Sequence, residues 1–250
     1  MSAVNTQIND ALLFVRWANP AAKNALNLAM YQQLAAALGE AQRRDDIKAC
    51  VILGGEGDFC SGNDLAEFIQ GRSTQVGEFF EPLVAFIRAL ARFDKPLLAA
   101  VDGWAVGIGA TMLLHCDQVI ASPQAQFNLP FTRLGLCCEC GASLLLPLRI
   151  GQGRAADWLL RAAPISAQEA LQAGFINRIE DEPVAAIRAC ALQLAERPLS
   201  ALRAHKTLLK APWQEALEQA MHLEEKTFFE LLMGPEFRTI LAAMSAKWRS

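Results

Sequence analysis

Two glycine-containing turns carry the first chemical signal in this 250-residue chain. Phe59-Cys60-Ser61-Gly62-Asn63-Asp64-Leu65 comes shortly after an apolar run at residues 49–53, and Asp102-Gly103-Trp104-Ala105-Val106-Gly107-Ile108-Gly109-Ala110 follows another at 96–101. A turn that leads into a helix leaves the first N–H groups without internal partners, so each turn can offer a backbone N–H to one oxygen. Two such donors aimed at the same oxygen form an oxyanion hole, which stabilises charge developing on a carbonyl. Taken singly, Ser61-Gly62-Asn63-Asp64 also reads as an ordinary Asx turn, and Ile108 as core packing. It is the pair that points to chemistry.

Other reactive residues give weaker signals. Cys137 and Cys140 form a Cys-x-x-Cys, but zinc needs four ligands and the sequence offers no second knuckle, so no metal site is expected. A redox role would need the pair at the start of a helix after a strand in a thioredoxin-like pattern, which is absent. His115, His205 and His222 lack metal-ligand spacing, and His115, on an apolar helix beside Cys116, reads as a satisfied core imidazole. Asp64 and Glu67 read as loop-capping or solvated acids. Glu139 lies among cysteines and leucines, where desolvation would raise its pKa. By itself it reads sooner as a solvated acid before a helix starting near Ala142, favouring the helix dipole.

The elements that must position these residues alternate. A strand is expected at 11–17, then a helix capped by Asn27 and running to about Arg44, and a buried strand at 49–53. A helix at 74–93, a strand at 96–101 and an apolar helix at 110–115 follow. Short strands at 119–121 and 126–127 precede a loop over 129–140, after which helices dominate. Alternation of this kind predicts an α/β core, and Ala/Leu/Glu/Lys-rich runs from Pro183 onward predict a helical tail. The division expected is a core over 1–195 and a helical region over 196–250.

Composition excludes several classes. With 23 Lys and Arg against 26 Asp and Glu, a net charge of −3 and no long basic run, nucleic acid is not an expected partner. No apolar stretch is long enough to span a membrane, no secretory leader pattern opens the chain, and the odd count of seven cysteines suits free thiols, so a cytoplasmic protein is expected. Hydrophobic residues at 53% suggest that some apolar surface is covered by another subunit.

The order of segments resembles the crotonase (enoyl-CoA hydratase/isomerase) superfamily from about Asn9 to at least Glu180. The matching stretches are Asn19-Pro20 through Asn24-Ala25-Leu26-Asn27, Phe59 to Leu65, and Asp102 to Gly107. They continue with Cys116-Asp117, Phe127, Leu134-Gly135-Leu136, Leu146-Pro147, and Ile165-Ser166-Ala167-Gln168-Glu169-Ala170 with Gly174. The resemblance implies a crotonase-like α/β fold, a spiral of ββα units with a C-terminal helical region. It also implies an acyl-CoA substrate, no cofactor beyond the coenzyme A that the substrate carries, and a homotrimer or hexamer. By the same resemblance the oxyanion donors are the N–H groups of Asn63 and Ile108, and the substrate lies against Ser61, Gly62, Asn63, Asp64, Leu65 and Gly107.

Hydratases of this family resemble one another in using two glutamates, and those positions here hold Thr111 and Phe131, neither of which can activate water at neutral pH. Peroxisomal-type and yeast-type Δ3,Δ2-enoyl-CoA isomerases place a glutamate after Leu-Gly at the interval of Glu139, and the Ser-Gly-Asn-Asp-Leu motif is also similar to the peroxisomal type. That resemblance implies a double-bond isomerase with Glu139 as proton shuttle. Other outcomes of the same enolate chemistry, such as hydratase, dienoyl-CoA isomerase, thioesterase or dehalogenase activity, and a non-catalytic acyl-CoA-binding subunit, remain alternatives. Lys23 and Lys206 are charges able to meet the coenzyme A phosphates, and Phe228, Phe229, Leu231 and Leu232 offer an apolar face to a neighbour or to the chain itself.

Overall fold

Asp10 and Ala11 both take positive φ, 52° and 61°, and close a tight hairpin. It joins β1 (Ala3–Asn9) to β2 (Leu12–Ala18), which pair antiparallel. Consecutive residues of this hand match the twist of the flanking strands. A computed structural model describes residues 3–64 and 76–248 of the chain. β1 has no sequence counterpart among the expected elements because its outer residues are solvent-exposed, leaving no apolar run to detect.

Asn27 starts α1 (Leu28–Arg43) as expected, its Oδ1 accepting the Met30 N–H at 2.9 Å. β3 (Ala49–Leu53), α2 (Val76–Arg92) and β4 (Leu97–Val101) follow. Both strands are buried along their whole length, as expected of parallel strands covered on two faces. Next come β5 (Trp104–Val106), α3 (Ile108–Thr111), a 3-10 turn over Met112–His115, β6 (Gln118–Ala121) and β7 (Gln126–Asn128). The helix therefore begins at Ile108 rather than Ala110, and its second half is tighter than α-helical. The chain continues through α4 (Ala142–Ile150), α5 (Gln152–Arg161), β8 (Ile165–Ser166), α6 (Ala167–Ala173) and β9 (Arg178–Ile179). It ends with α7 (Pro183–Ala195), α8 (Leu199–Lys210), α9 (Gln214–Leu232) and α10 (Pro235–Trp248), the helical tail that the sequence predicts.

The strands form a six-stranded sheet, β1-β2-β3-β4-β6-β9, parallel from β2 onward, and a three-stranded sheet, β5-β7-β8. The main core lies on the face of the large sheet covered by α1 and α2. On the other face Ile187 and Ala191 of α7 pack against Val51, Leu98 and Ile120. After β4 the chain leaves the large sheet for the small one, and a bridge between Cys60 and Ala105 of β5 sets the second glycine turn against the first.

The tail folds back on its own chain. Phe228 and Leu232 are buried within it, and Phe229 meets Phe80 edge-on at 5.0 Å, so this face of α9 is largely intramolecular. Lys206 is also removed from the surface. Its Nζ donates to Lys95 O at 2.6 Å and to Asp117 Oδ2 at 2.7 Å, so its charge is buried and paired within the fold rather than held out toward a phosphate. Among the described residues no helix is long and apolar enough to cross a membrane.

Candidate active site

The two glycine turns run side by side. Cys60 N–H donates to Trp104 O and Val106 N–H to Cys60 O, both at 2.8 Å, in a parallel bridge between Cys60 and Ala105. Gly107, at φ 55° and ψ −123°, takes a conformation that side chains disfavour, and a Cβ placed on it would lie 4.0 Å from Gly62 Cα. At Gly109 a Cβ would sit 2.6 Å from Cys60 Cβ, so only glycine lets α3 approach this closely.

This apposition decides where the amides of the turns face. Leu26 N–H donates to Gly62 O and Asp64 N–H to Leu26 O, both at 2.9 Å, so the Asn63 N–H leaves on the side away from Leu26. Tyr31 O–H donates to the Asn63 side-chain oxygen and holds that residue in place. Ile108 is the first residue of α3, whose N–H has no partner within the helix, while its side chain is fully buried. Among the described residues neither amide donates to a protein oxygen. A cavity lies against Ser61, Gly62, Asn63 and Gly107, with Phe131 and Phe228 on its walls. Ser61 is not a free nucleophile there, because its Oγ donates to Ala22 O at 2.8 Å. Asp64 is half-buried and not part of that wall, and Leu65 and Glu67 lie outside the described residues.

One helical turn beyond Gly107, Thr111 points to the carboxylate. Its N–H donates to Gly107 O at 2.9 Å, and its Oγ1 donates to Glu139 Oε1 at 2.7 Å. Glu139 is only 5% exposed, which removes the reading of it as a solvated helix-end acid. Its Oε2 is buried without a hydrogen-bond partner. Burial pushes its pKa from 4.5 up to about 8; the Thr111 hydroxyl opposes the rise and the nearby Glu224 charge adds to it. Glu139 and Cys140 border an apolar cavity between α2 and α9, lined by Phe80, Leu83, Ile87 and Phe228. Phe228 thus stands in the walls of both cavities.

The segment that carries Glu139 is bent sharply. Cys140 and Gly141 take left-handed conformations at φ 65° and 71°. The bend is held from two sides, one of them His115, whose Nε2 lies 2.8 Å from Cys140 O. Burial drives His115 down to about 3, so the ring is neutral and Nε2 carries the proton it donates, the satisfied core imidazole that the sequence suggests. The other side is Glu224, which sequence reasoning misses. All seven cysteines are free, and no described group of histidines, cysteines and acids has the makings of a metal site.

Comparison with known proteins agrees with this architecture. The model of the Enoyl-CoA hydratase/isomerase family matches residues 7–244, and the chain belongs to that family. It is a crotonase-type acyl-CoA enzyme. A probable enoyl-CoA hydratase of Rhodobacter capsulatus is 35% identical over 98% of this chain and 95% of its own length. The 1,2-epoxyphenylacetyl-CoA isomerase of Escherichia coli K12 is 31% identical over 99% and 97%. The crystal structure of an enoyl-CoA hydratase/isomerase from Pseudoalteromonas atlantica superposes with a TM-score of 0.93 at 36% identity, covering 98% of this chain and 97% of that one. The fold is the crotonase fold, with its helical C-terminal region.

Proposed function

We propose that the protein shifts a double bond of an enoyl-CoA from C3 to C2, with Glu139 moving the proton. The observation that carries this reading is that Glu139 alone, among the carboxylates bordering the apolar cavity, keeps a buried oxygen without a partner. Glu224 spends both oxygens on backbone N–H groups, and Glu225 pairs with Arg88 at 3.4 Å.

In this reading the thioester oxygen takes hydrogen bonds from the Asn63 and Ile108 amides. Glu139 removes a proton from C2, the charge spreads onto that oxygen as a dienolate, and the protonated Glu139 returns the proton at C4. Each amide is worth about 2.7–4 kcal/mol in transition-state stabilisation. A carboxyl with a pKa of about 8 suits both halves, since it gains basicity over an ordinary glutamate and still gives the proton up near neutral pH. Hydration would need a base able to hold water. Thr111 and Phe131 supply none, and Thr111 is bonded to Glu139 instead.

The acyl-CoA is the small-molecule partner, coenzyme A enters only as part of the substrate, and catalysis proceeds in the cytoplasm with the thiols reduced. Exposed Leu208, Leu209 and Leu223 on the tail support assembly as a homotrimer or hexamer. One observation favours a second substrate for the same chemistry: Phe80, Phe228 and Phe229 give the cavity aromatic walls suited to a ring-bearing acyl group, the kind named for the Escherichia coli relative. Product analysis with straight-chain 3-enoyl-CoA, a ring-bearing acyl-CoA and 2-enoyl-CoA in water tests the assignment. Isomerised product from the first, with little hydration of the third, is expected. Hydration at a matching rate would overturn it.

A further inference from the structure

Glu224 lies on α9, yet its carboxylate is spent on another part of the fold. Oε2 accepts the Gly141 N–H and Oε1 the Ser143 N–H, both at 2.7 Å, and the Cys138 thiol approaches Oε1 at 3.9 Å. Those amides belong to the start of α4, where Gly141 occupies the cap position and has no side chain to satisfy them. A residue 83 positions away therefore caps the helix that follows Glu139.

We propose that Glu224 is a positioning residue for Glu139: by capping α4 from α9 it holds residues 138–141 in the left-handed bend that turns the Glu139 carboxyl into the apolar cavity. The proposal rests on reading Glu139 as the base. It makes the seating of α9 a condition for an aligned base, since the cap is present only when α9 lies against α4. The charge of Glu224 also acts on Glu139, raising its pKa. The other groups around the pair do not compete with it. Cys137, Cys138 and Cys140 are held as neutral thiols by burial, His115 is neutral on Cys140 O, and Arg88 and Glu225 pair with each other.

Two variants separate charge from reach. Glu224→Gln removes the charge and leaves one acceptor oxygen, whereas Glu224→Asp keeps the charge but is too short to span both amides. The readout is the infrared carboxyl band of protonated Glu139 as a function of pH, assigned by its loss in Glu139→Gln, alongside turnover. Glu224→Gln should move the Glu139 midpoint lower. Glu224→Asp should hold it near the wild-type value while kcat falls roughly 10- to 100-fold with little change in KM. The titration reads the coupling whichever acyl-CoA is the substrate, so its outcome is distinct from that of the isomerase assignment. Folded variants that both keep the wild-type midpoint and turnover would overturn the proposal. If Glu224→Gln does not fold, an Asp variant with undiminished kcat does so alone.

Discussion

Thr111 Oγ1 donates to Glu139 Oε1 across 2.7 Å, and the same hydroxyl lies 3.3 Å from Gly107 O. A hydroxyl has one proton and cannot serve both acceptors at once. When Glu139 is ionised the proton points at the carboxylate. Once Glu139 is protonated it can donate to Thr111 and release the hydroxyl toward Gly107 O, the carbonyl of the peptide that carries the Ile108 N–H.

A first prediction concerns this bond. Thr111→Val removes a hydrogen bond to the charged form of Glu139, and bonds to charged groups are worth about 1.5–3 kcal/mol. The Glu139 pKa, already about 8, should rise further, and activity that needs the carboxylate should appear roughly one to two units higher in pH. The acid limb of kcat/KM against pH measures the shift. A limb that stays where the wild type has it contradicts the role given to Thr111.

Stability should respond to the same carboxyl. Glu139 has its pKa raised from 4.5 to about 8 on folding, so between those values the folded chain holds more proton than the unfolded one. Its burial is therefore tolerated below about pH 4.5, and the destabilisation grows as pH rises from there through 8, above which it levels off at roughly 5 kcal/mol. Glu139→Gln cannot ionise, so its stability advantage over wild type should grow from pH 5 to 9. Urea melts at a series of pH values give the comparison, and parallel curves would refute it.

The glycine turns invite a steric test. A methyl group at Gly109 would meet Cys60 Cβ at 2.6 Å and Cys60 O at 2.9 Å, closer than atoms pack. Gly109→Ala should cost about 1–3 kcal/mol of stability by overpacking and lower kcat by prying the two turns apart. Chemical denaturation with an activity assay checks both. A Gly109→Ala enzyme of wild-type stability and rate would show that the close approach has no such role.

Much of the frame was legible because backbone constraints write themselves into sequence. Buried strands β3 and β4 are unbroken apolar runs, and Asn27 announces α1. The glycines mark where the turns meet, since Gly107 needs its backbone freedom and Gly109 its missing side chain. β1 and β5 were not legible, one because it is mostly exposed and the other because three residues give no period to read. Long-range partnerships escaped altogether. The residues alone favour Glu139 as a helix-end acid at the start of α4, but Glu224 from α9 takes that place and Glu139 turns inward. Lys206 likewise reads as a surface charge and proves to be buried on Asp117.

The proton shuttle itself is tested most directly by the turnover of Glu139→Gln on a 3-enoyl-CoA. Glutamine fills the same space and can still accept from Thr111, but it cannot take up the C2 proton. The rate should fall about 100- to 10,000-fold, the usual worth of a positioned general base, in a protein that remains folded and binds acyl-CoA. Turnover equal to wild type would show that another group moves the proton and that Glu139 is not the base.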